Sequence, residues 1–236
     1  MLPEAIINTP IFGIALTVIV YAICEQIIKR FGIKYVPPIL MAAFLIVSFL
    51  LSAGISYEKF NAGGSFVSLF LGPATIALAL PLHRNWKYVK ENALAICGGI
   101  LFGTVVSIVA IFFVAKLLGT SEIVLISMLP KSVTTPIAIE IAKTIGGIPP
   151  LTTAVVIMSG CFGAAFNHKL FNLVGMKNDL AMGLAIGLSS HGIGTSACVG
   201  VSMVQLTISG IAMGLTGIAT SIAAPILLPI LQNLWK

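Results

Sequence analysis

The sequence predicts an all-α integral membrane protein with about 6–8 transmembrane segments, some of them interrupted or re-entrant. Three observations carry this prediction. The 236-residue chain is 58% hydrophobic and only 8% charged, with a mean hydropathy of +1.10. Its charges fall in short stretches between long apolar windows, and several windows contain Pro, Gly and hydroxyl residues that interrupt a helix. We therefore expect a single transmembrane domain over residues 1–236, because no window is left for a soluble domain.

Charge-free windows mark the individual segments, since a helix needs about 20 apolar residues to cross a bilayer. The first window, Ala5–Cys24, lacks the basic flank of a cleaved signal peptide, so we expect it to be retained as a helix. The last window, Gly192–Trp235, holds 44 residues without a charge, which is nearly enough for two crossings. The other windows of sufficient length are Tyr35–Tyr57, Phe60–Leu82, Ala93–Ala115 and Thr144–Asn167.

The net charge of +6 fits membrane topology and argues against nucleic-acid binding, because the basic residues lie in short loops. Loops rich in Lys and Arg stay in the cytoplasm. Residues 29–34 and 84–90 form two such loops, which places the N-terminus outside. Two topologies stay open further along. Lys169 and Lys177 fall outside if Glu122–Ile145 is a full span, and inside if it is a re-entrant hairpin.

No pattern typical of an enzyme or a metal protein occurs in the sequence. Asp179 is the only aspartate, and His83, His168 and His191 are scattered without the spacing of metal ligands. The four cysteines lie far apart in apolar segments, as small core residues do. We therefore expect no catalysis, no cofactor and no bound metal.

Three polar interruptions recur along the chain. Thr75, Thr135 and Thr195 lie 60 residues apart. Internal repeats are a common basis of transporter folds, although Gly, Thr and Ala are frequent enough in membrane helices for the match to be chance. A structural repeat would consist of an interrupted helix followed by a plain one, in parallel or inverted orientation. The three segments are Gly72–Ala77, Ser132–Ile137 and Gly192–Ala197.

The central interruption predicts two half-helices. Glu122–Leu129 forms a short apolar half-helix, since Pro130 disfavours helical geometry in the residue before it. Thr135 and Pro136 are a typical N-cap and N1 pair, so a second half-helix begins there. That helix should end at Gly146–Gly147.

This break is also the best candidate for a ligand site. The free first-turn amides of the second half-helix, the Lys131 ammonium and the hydroxyls of Ser132, Thr134 and Thr135 would together attract an anion, and a carboxylate fits these donors. The alternative is that Lys131 extends to a membrane interface and the prolines only kink a helix. An ionisable residue flanked by apolar runs favours the site.

The same half-helix carries Glu140 and Lys143, three residues apart. Residues at this spacing can form an ion pair, and Glu140 is otherwise a candidate proton carrier if it faces the cavity. The uncharged segment Leu71–Leu82 has two prolines and is typical of a kinked cavity wall, in which Thr75 is the candidate contact.

A further interruption, Ser189–Ser196, predicts a second part of the site. Gly192 and Gly194 relax the backbone, and Thr195 or Ser196 would cap a helix that continues through Met203. His191 is a candidate for proton relay or carboxylate binding, the alternative being a packing role. The candidate ligands in this segment are Ser190, His191, Gly194, Thr195 and Ser196.

Three segments together resemble the LrgB/CidB family: Leu71–Leu82, Pro130–Thr152 and Gly187–Ser196. The resemblance covers nearly the whole chain. It implies a multi-pass protein of the bacterial cytoplasmic (inner) membrane, described in that family as antiholin-like and as modulating murein hydrolase activity and autolysis. It also implies a small LrgA/CidA-type membrane partner. One departure is that Ala197–Met203 lacks the acidic residue usual in the family, so a proton-coupling role of that acid does not transfer.

Two functions of different class follow. Related proteins are linked to uptake of pyruvate, and a plant plastid relative is linked to transport of glycolate and glycerate. The resemblance and the Lys131 cluster together therefore predict a proton-coupled carrier of small monocarboxylates. The alternative is an antiholin-like regulator of autolysis that needs no substrate. Gly-rich helix faces predict close helix packing and, in either case, a homodimer is expected.

Overall fold

The structure is a computed structural model of the chain, and it describes residues 7–33, 36–70, 73, 76 and 79–235. Its regular elements over these residues are all helices, which confirms the all-α prediction. The chain divides into two compact units, residues 1–76 and 77–236. Thr75 and most of the Leu71–Leu82 interruption lie outside the described residues.

The first unit contains helices α1 (Pro10–Phe31), α2 (Pro38–Ala53) and α3 (Tyr57–Ser68). Proline begins α1 and α2, where its missing N–H is not needed, and a left-handed glycine ends each of them. Phe12 packs with Ile46 and Leu50 in a small core. The predicted window Phe60–Leu82 is wrong as a continuous helix, because α3 ends at Ser68.

The second unit carries all the other described helices. Its three longest helices and α1 of the first unit are each long and apolar enough to cross a bilayer. The elements are α4 (Ala79–Arg84), α5 (Trp86–Glu91), α6 (Ala93–Leu117), α7 (Glu122–Met128), α8 (Thr135–Ile145), α9 (Pro149–Leu173), α10 (Asp179–Ser196) and α11 (Met203–Leu234).

Residues 122–147 form a helical hairpin, hairpin 1, whose arms are α7 and α8 and whose tip is residues 129–134. The chain turns back to the level of Ser127, because the backbone N–H of Ile148 donates to Ser127 Oγ at 2.8 Å and Thr152 Oγ1 donates to the Ser127 carbonyl at 2.8 Å. With 7 and 11 residues, the arms are about 10 and 17 Å long, too short to cross a core of about 30 Å. The segment is re-entrant in shape.

Residues 179–202 form a second hairpin, hairpin 2. α10 belongs to both of its arms, because helical hydrogen bonds continue across a sharp kink. The backbone reverses at His191, whose φ of 40° and ψ of −139° are non-helical. A Cβ on Gly194 would lie 3.2 Å from Ile186 Cγ2, two turns back along the sequence. At the base, Ser202 Oγ donates to Asp179 Oδ2 at 2.7 Å. The tip of hairpin 2 is therefore Ser190–His191.

The two hairpins enter the unit from opposite ends. Along α9, Thr152 contacts Ser127 and Ser159 contacts Lys131, so hairpin 1 extends in the direction of α9. Further along, Asn167 contacts Ser190 and Phe171 packs on Ile186, so the first arm of hairpin 2 runs against α9. We call the end at Glu122 the hairpin 1 side and the end at Asp179 the hairpin 2 side.

The two halves repeat the same contacts in inverted orientation. In the first repeat Ser127 contacts Thr152, and sixty residues later Gly187 contacts Ala212. Each repeat is a hairpin followed by a long helix, α9 or α11. α9 runs from the hairpin 1 side to the hairpin 2 side, and α11 runs back to Glu122, which accepts a hydrogen bond from Gln232. The 60-residue spacing between the second and third interruptions is thus structural, and these two repeats are inverted. The spacing to Thr75 stays a prediction, because Thr75 lies outside the described residues.

Three local predictions are corrected. Thr134, not Thr135, is the N-cap of α8, and its side chain makes no capping hydrogen bond. Neither Thr195 nor Ser196 caps a helix through Met203, because α10 ends at Ser196 and α11 begins at Met203 behind the N-cap Ser202. The window Gly192–Trp235 holds one long helix and the returning arm of hairpin 2, since the reversal at His191 uses the remaining residues.

Candidate functional site

A cavity of about 1000 Å³ lies where the two hairpin tips meet, inside the second unit. Lys131 and Ser132 from hairpin 1 line one end, and Met176 and Ala181 mark the other end, near the base of hairpin 2. Beyond Lys131, the hairpin 1 side is filled by a packed core that includes Phe112. The cavity therefore extends from the tip of hairpin 1 towards the hairpin 2 side, and its lining includes the exposed side chains of Phe102 and Phe162.

Lys131 is the only charged side chain in the described lining of this cavity. Its Nζ donates to Ser132 Oγ at 3.1 Å, and Ser132 Oγ lies 3.0 Å from Ser107 Oγ on α6. Ser159 Oγ on α9 donates to the Lys131 carbonyl at 3.0 Å. No carboxylate of the described residues forms an ion pair with Lys131. The ammonium thus keeps donors available to an anionic ligand.

A second polar group lines the cavity at the tip of hairpin 2. Asn167 Nδ2 donates to Ser190 Oγ at 3.1 Å, and Ser190 Oγ lies 2.9 Å from Ser189 Oγ. Since Ser189 donates to the Ala185 carbonyl at 2.7 Å, its oxygen is free to accept from Ser190. Ser159 and Asn167 are eight residues apart on α9, about 12 Å. The cavity therefore has two separate polar groups, one at the tip of each hairpin.

Two glycines of α9 allow the tip of hairpin 2 to approach. A Cβ on Gly163 would overlap Ser190 Oγ, and a Cβ on Gly160 would overlap His191 Cε1. Side chains in a packed interior tolerate such overlap poorly. Gly160 and Gly163 therefore fix where Ser190 and His191 meet α9.

His191 lies beside the cavity but not in its described lining. The ring is buried, 3% exposed, and its Nε2 lies 3.0 Å from the Val156 carbonyl oxygen. A carbonyl accepts only, so Nε2 carries the hydrogen and donates. The alternatives for His191 were proton relay or carboxylate binding, and a packing role. Its described contacts match a packing role in this structure, because they lie on α9 and not in the cavity.

The structure brings together only some of the predicted ligands. Of these, Lys131, Ser132 and Ser190 line the cavity. Glu140 is exposed and accepts from Lys143 Nζ at 2.7 Å, as expected for an i,i+3 pair. The predicted residues outside the described lining are Thr134, Thr135, Glu140, His191, Gly194, Thr195 and Ser196.

Several of these outer residues have local partners instead. Thr195 Oγ1 donates to the His191 carbonyl at 2.8 Å, and Ser196 Oγ donates to the Ile193 carbonyl at 2.7 Å. Thr134 Oγ1 is buried without a hydrogen-bond partner among the described residues. The Thr195 and Ser196 hydroxyls therefore hydrogen-bond within the returning arm of hairpin 2.

Sequence reasoning missed polar residues on the uninterrupted helices. Ser107, Ser159 and Asn167 line the cavity from α6 and α9. Each is an isolated polar residue in an apolar run, and such residues usually hydrogen-bond within their own helix. Only their alignment with the hairpin tips distinguishes them, and that alignment depends on tertiary contacts.

The base of hairpin 2 is fixed by Asp179. Its Oδ1 accepts from Gln205 Nε2 at 2.8 Å, and its Oδ2 accepts from Ser202 Oγ. Two hydrogen bonds lower the pKa of this carboxyl from its usual value. The bond from Gln205 has the larger effect and the bond from Ser202 the smaller one. A charged Asp179 thus joins the start of α10 to the start of α11.

A chain whose described residues form four span-length helices and two opposed hairpins, without strands, is a multi-pass membrane protein. The chain belongs to the LrgB-like family, whose pattern matches residues 17–230. It is 35% identical over 218 residues to YwbG of Bacillus subtilis (strain 168), described as uncharacterized, covering 92% of this chain and 97% of that protein.

Two further relatives show the same extent of similarity. YxaC of Bacillus subtilis (strain 168), also described as uncharacterized, is 33% identical over 213 residues, 90% of this chain and 93% of YxaC. The antiholin-like protein LrgB of Bacillus cereus (strain B4264) is 33% identical over 222 residues, 94% of this chain and 96% of that protein. No solved structure matches the chain.

Proposed function

We propose that this protein is a secondary carrier of small monocarboxylates, driven by the proton gradient. The observation that carries the proposal is the Lys131 ammonium, which lines the cavity between the hairpin tips without a described carboxylate partner. Inverted repeats with broken helices that meet at a central site are typical of secondary transporters. A pore that only lyses a membrane needs no such site.

The donors around Lys131 favour a single carboxylate as the ligand. One ammonium matches one negative charge, and the neighbouring hydroxyls of Ser132 and Ser107 can share its hydrogen bonds. In the second polar group, at the tip of hairpin 2, Asn167 retains an amide oxygen that can accept from a hydroxyl of the substrate or from a water. This supports small hydroxy or oxo acids such as glycolate, glycerate or pyruvate.

Charge distribution supports an orientation in a cytoplasmic membrane. Lys87 and Lys90 precede α6, and Lys169 and Lys177 lie at the end of α9 and beyond it, all towards the hairpin 2 side. The positive-inside rule assigns this side to the cytoplasm. The cavity would then face the cytoplasm, and hairpin 1 would enter from outside.

The test is uptake of labelled pyruvate or glycolate by purified protein in liposomes. Lys131→Ala should abolish uptake, and an uncoupler should reduce uptake by the unmodified protein. Lys143→Ala is the matched control, since Lys143 is exposed and pairs only with Glu140 among the described acids. Absence of uptake of every carboxylate tested, with the protein correctly inserted, would contradict the proposal.

A second candidate is an antiholin-like regulator of autolysis. It is favoured by the printed name of the Bacillus cereus relative, which is 33% identical over nearly the whole chain. Regulation by a small LrgA/CidA-type partner or by a homodimer would require no substrate. If Lys131→Ala removes uptake but cells keep normal control of lysis, the regulatory role is independent of transport.

A further inference from the structure

The tips of the two hairpins are equivalent in the repeat but differ in their contacts. Lys131 and His191 are sixty residues apart, like Ser127 and Gly187, which make equivalent contacts at the same level of their hairpins. His191 is docked on α9 through the Val156 carbonyl. Lys131 instead directs its ammonium into the cavity. The inverted repeat is thus asymmetric at this pair.

The counterpart of Val156 in the second repeat is Thr216 of α11, sixty residues further on. Thr216 is 1% exposed, and its hydroxyl has no hydrogen-bond partner among the described residues. A buried hydroxyl without a partner is unfavourable, by roughly 1–3 kcal/mol in mutational data. Thr216 has the same place in the repeat as Val156, although Val156 accepts from His191 through its backbone carbonyl and Thr216 would offer its side-chain hydroxyl.

Thr216 lies close to hairpin 1. The next residue, Gly217, packs on Ile137, so that a Cβ there would lie 3.7 Å from Ile137 Cγ2. Further along, Ala224 and Leu228 share a core with Val133 of the tip. Hairpin 1 therefore packs along α11 from Gly217 onwards, and Lys131 would reach Thr216 only by a movement of the tip along this helix.

We propose that Lys131 and His191 exchange places between two states of the carrier. In the state described, Lys131 lines the cavity and His191 is docked on α9. In the opposite state, Lys131 docks on Thr216, and His191 lines a cavity that opens to the hairpin 1 side. The inference rests on the proposed carrier function, and it assigns Thr216 as a positioning residue and His191 as the ligand-facing group of the second state.

This exchange follows from how inverted repeats work. Alternating access in such proteins is largely a movement of one repeat against the other, so each repeat adopts in turn the conformation of the other. A packed interior resists gradual deformation, so the tips should change between two discrete arrangements. The unpartnered Thr216 hydroxyl is then the acceptor that is vacant in one state.

The exchange can be tested on the native histidines without a transport assay. Diethyl pyrocarbonate modifies accessible imidazoles, and mass spectrometry of the peptides measures the modification at each position. His83, which is exposed, serves as the internal reference for His191 in protein reconstituted in lipid. His191 should be modified slowly and completely, because the opposite state exposes it.

Thr216→Val should reduce the rate at which diethyl pyrocarbonate modifies His191 about tenfold or more. This is the change expected when one of two states loses a hydrogen bond to a charged group. Thr104→Val is the matched control, since Thr104 is also a buried hydroxyl without a described partner but has no equivalent in this exchange. Thr216→Ser keeps the hydroxyl and should behave like the unmodified protein.

Three results would overturn the exchange. These are a His191 that stays unmodified while His83 reacts fully, an equal effect of Thr216→Val and Thr104→Val, or an equal effect of Thr216→Ser and Thr216→Val. Failure of the carrier proposal would look different. In that case His191 would still respond to Thr216→Val, but no carboxylate would be taken up by liposomes.

Discussion

Ser159 of α9 donates a hydrogen bond from its hydroxyl to the carbonyl of Lys131, at 3.0 Å. This contact joins the tip of hairpin 1 to an uninterrupted helix and fixes the backbone of the residue whose ammonium enters the cavity. Hairpin 2 is held on the same helix by Asn167 and by the Val156 carbonyl. α9 therefore sets the positions of both tips.

Removing the Ser159 hydroxyl should loosen the tip of hairpin 1. In Ser159→Ala the Lys131 carbonyl loses a partner, a change of about 0.5–1.5 kcal/mol. Hydrogen exchange of the amides in residues 129–134 should become several-fold faster, and the KM for the transported carboxylate should rise. Ser221→Ala is the control, since Ser221 bonds only within its own helix, to the Gly217 carbonyl. Equal exchange in both variants would contradict the assigned role of Ser159.

A side chain at Gly163 should displace the tip of hairpin 2. In Gly163→Ala the new methyl overlaps Ser190 Oγ, so we expect a loss of about 1–3 kcal/mol of folding free energy, the usual range for overpacking. The measurement is the thermal midpoint in detergent. Gly98→Ala is the control, since no described atom lies within 4 Å of a Cβ at that position. If Gly163→Ala is as stable as Gly98→Ala, the tip of hairpin 2 can move away from the new methyl group, and the prediction is wrong.

Asn167 should contribute to the affinity of the cavity for its ligand. Asn167→Ala removes the donor to Ser190 and a polar group from the cavity, so the KM for a hydroxy acid should rise about 2–10-fold. Asn172→Ala on the same helix is the control, because Asn172 is exposed and does not line the cavity. The prediction fails if the two variants have the same KM.

The hydrogen bonds at Asp179 predict an acid-sensitive hairpin base. Because its pKa is lowered on folding, the stabilisation is complete above the unfolded-state pKa, about 3.9, and is lost as the pH falls through the lower folded-state value. The thermal midpoint should therefore drop between pH 5 and pH 3. Asp179→Asn should remove part of this drop, and an unchanged pH profile in that variant would exclude Asp179 as its source.

The sequence predicted the elements better than their arrangement. Lys131 and the limits of α8 were predictable because an intramembrane charge, Pro136 and Gly146 each have a local physical meaning. The reversal of the backbone at His191 was not predictable, since glycines indicate that a helix breaks but not the direction of the chain after the break. The cavity residues Ser107 and Asn167 depend on contacts between distant helices, which no periodicity encodes.

The inverted repeat makes a topological prediction that charge counting could not make. Lys143 lies near the end of hairpin 1, and Lys177 precedes hairpin 2, so the two lysines should be on opposite sides of the membrane. In intact cells a membrane-impermeant thiol reagent should modify Lys143→Cys from outside, whereas Lys177→Cys should react only after permeabilisation. Peptide mass spectrometry at each introduced position separates this signal from the native cysteines. Modification of both positions from one side would require one hairpin to cross the membrane, and the arrangement of opposed hairpins in the bilayer would then be wrong.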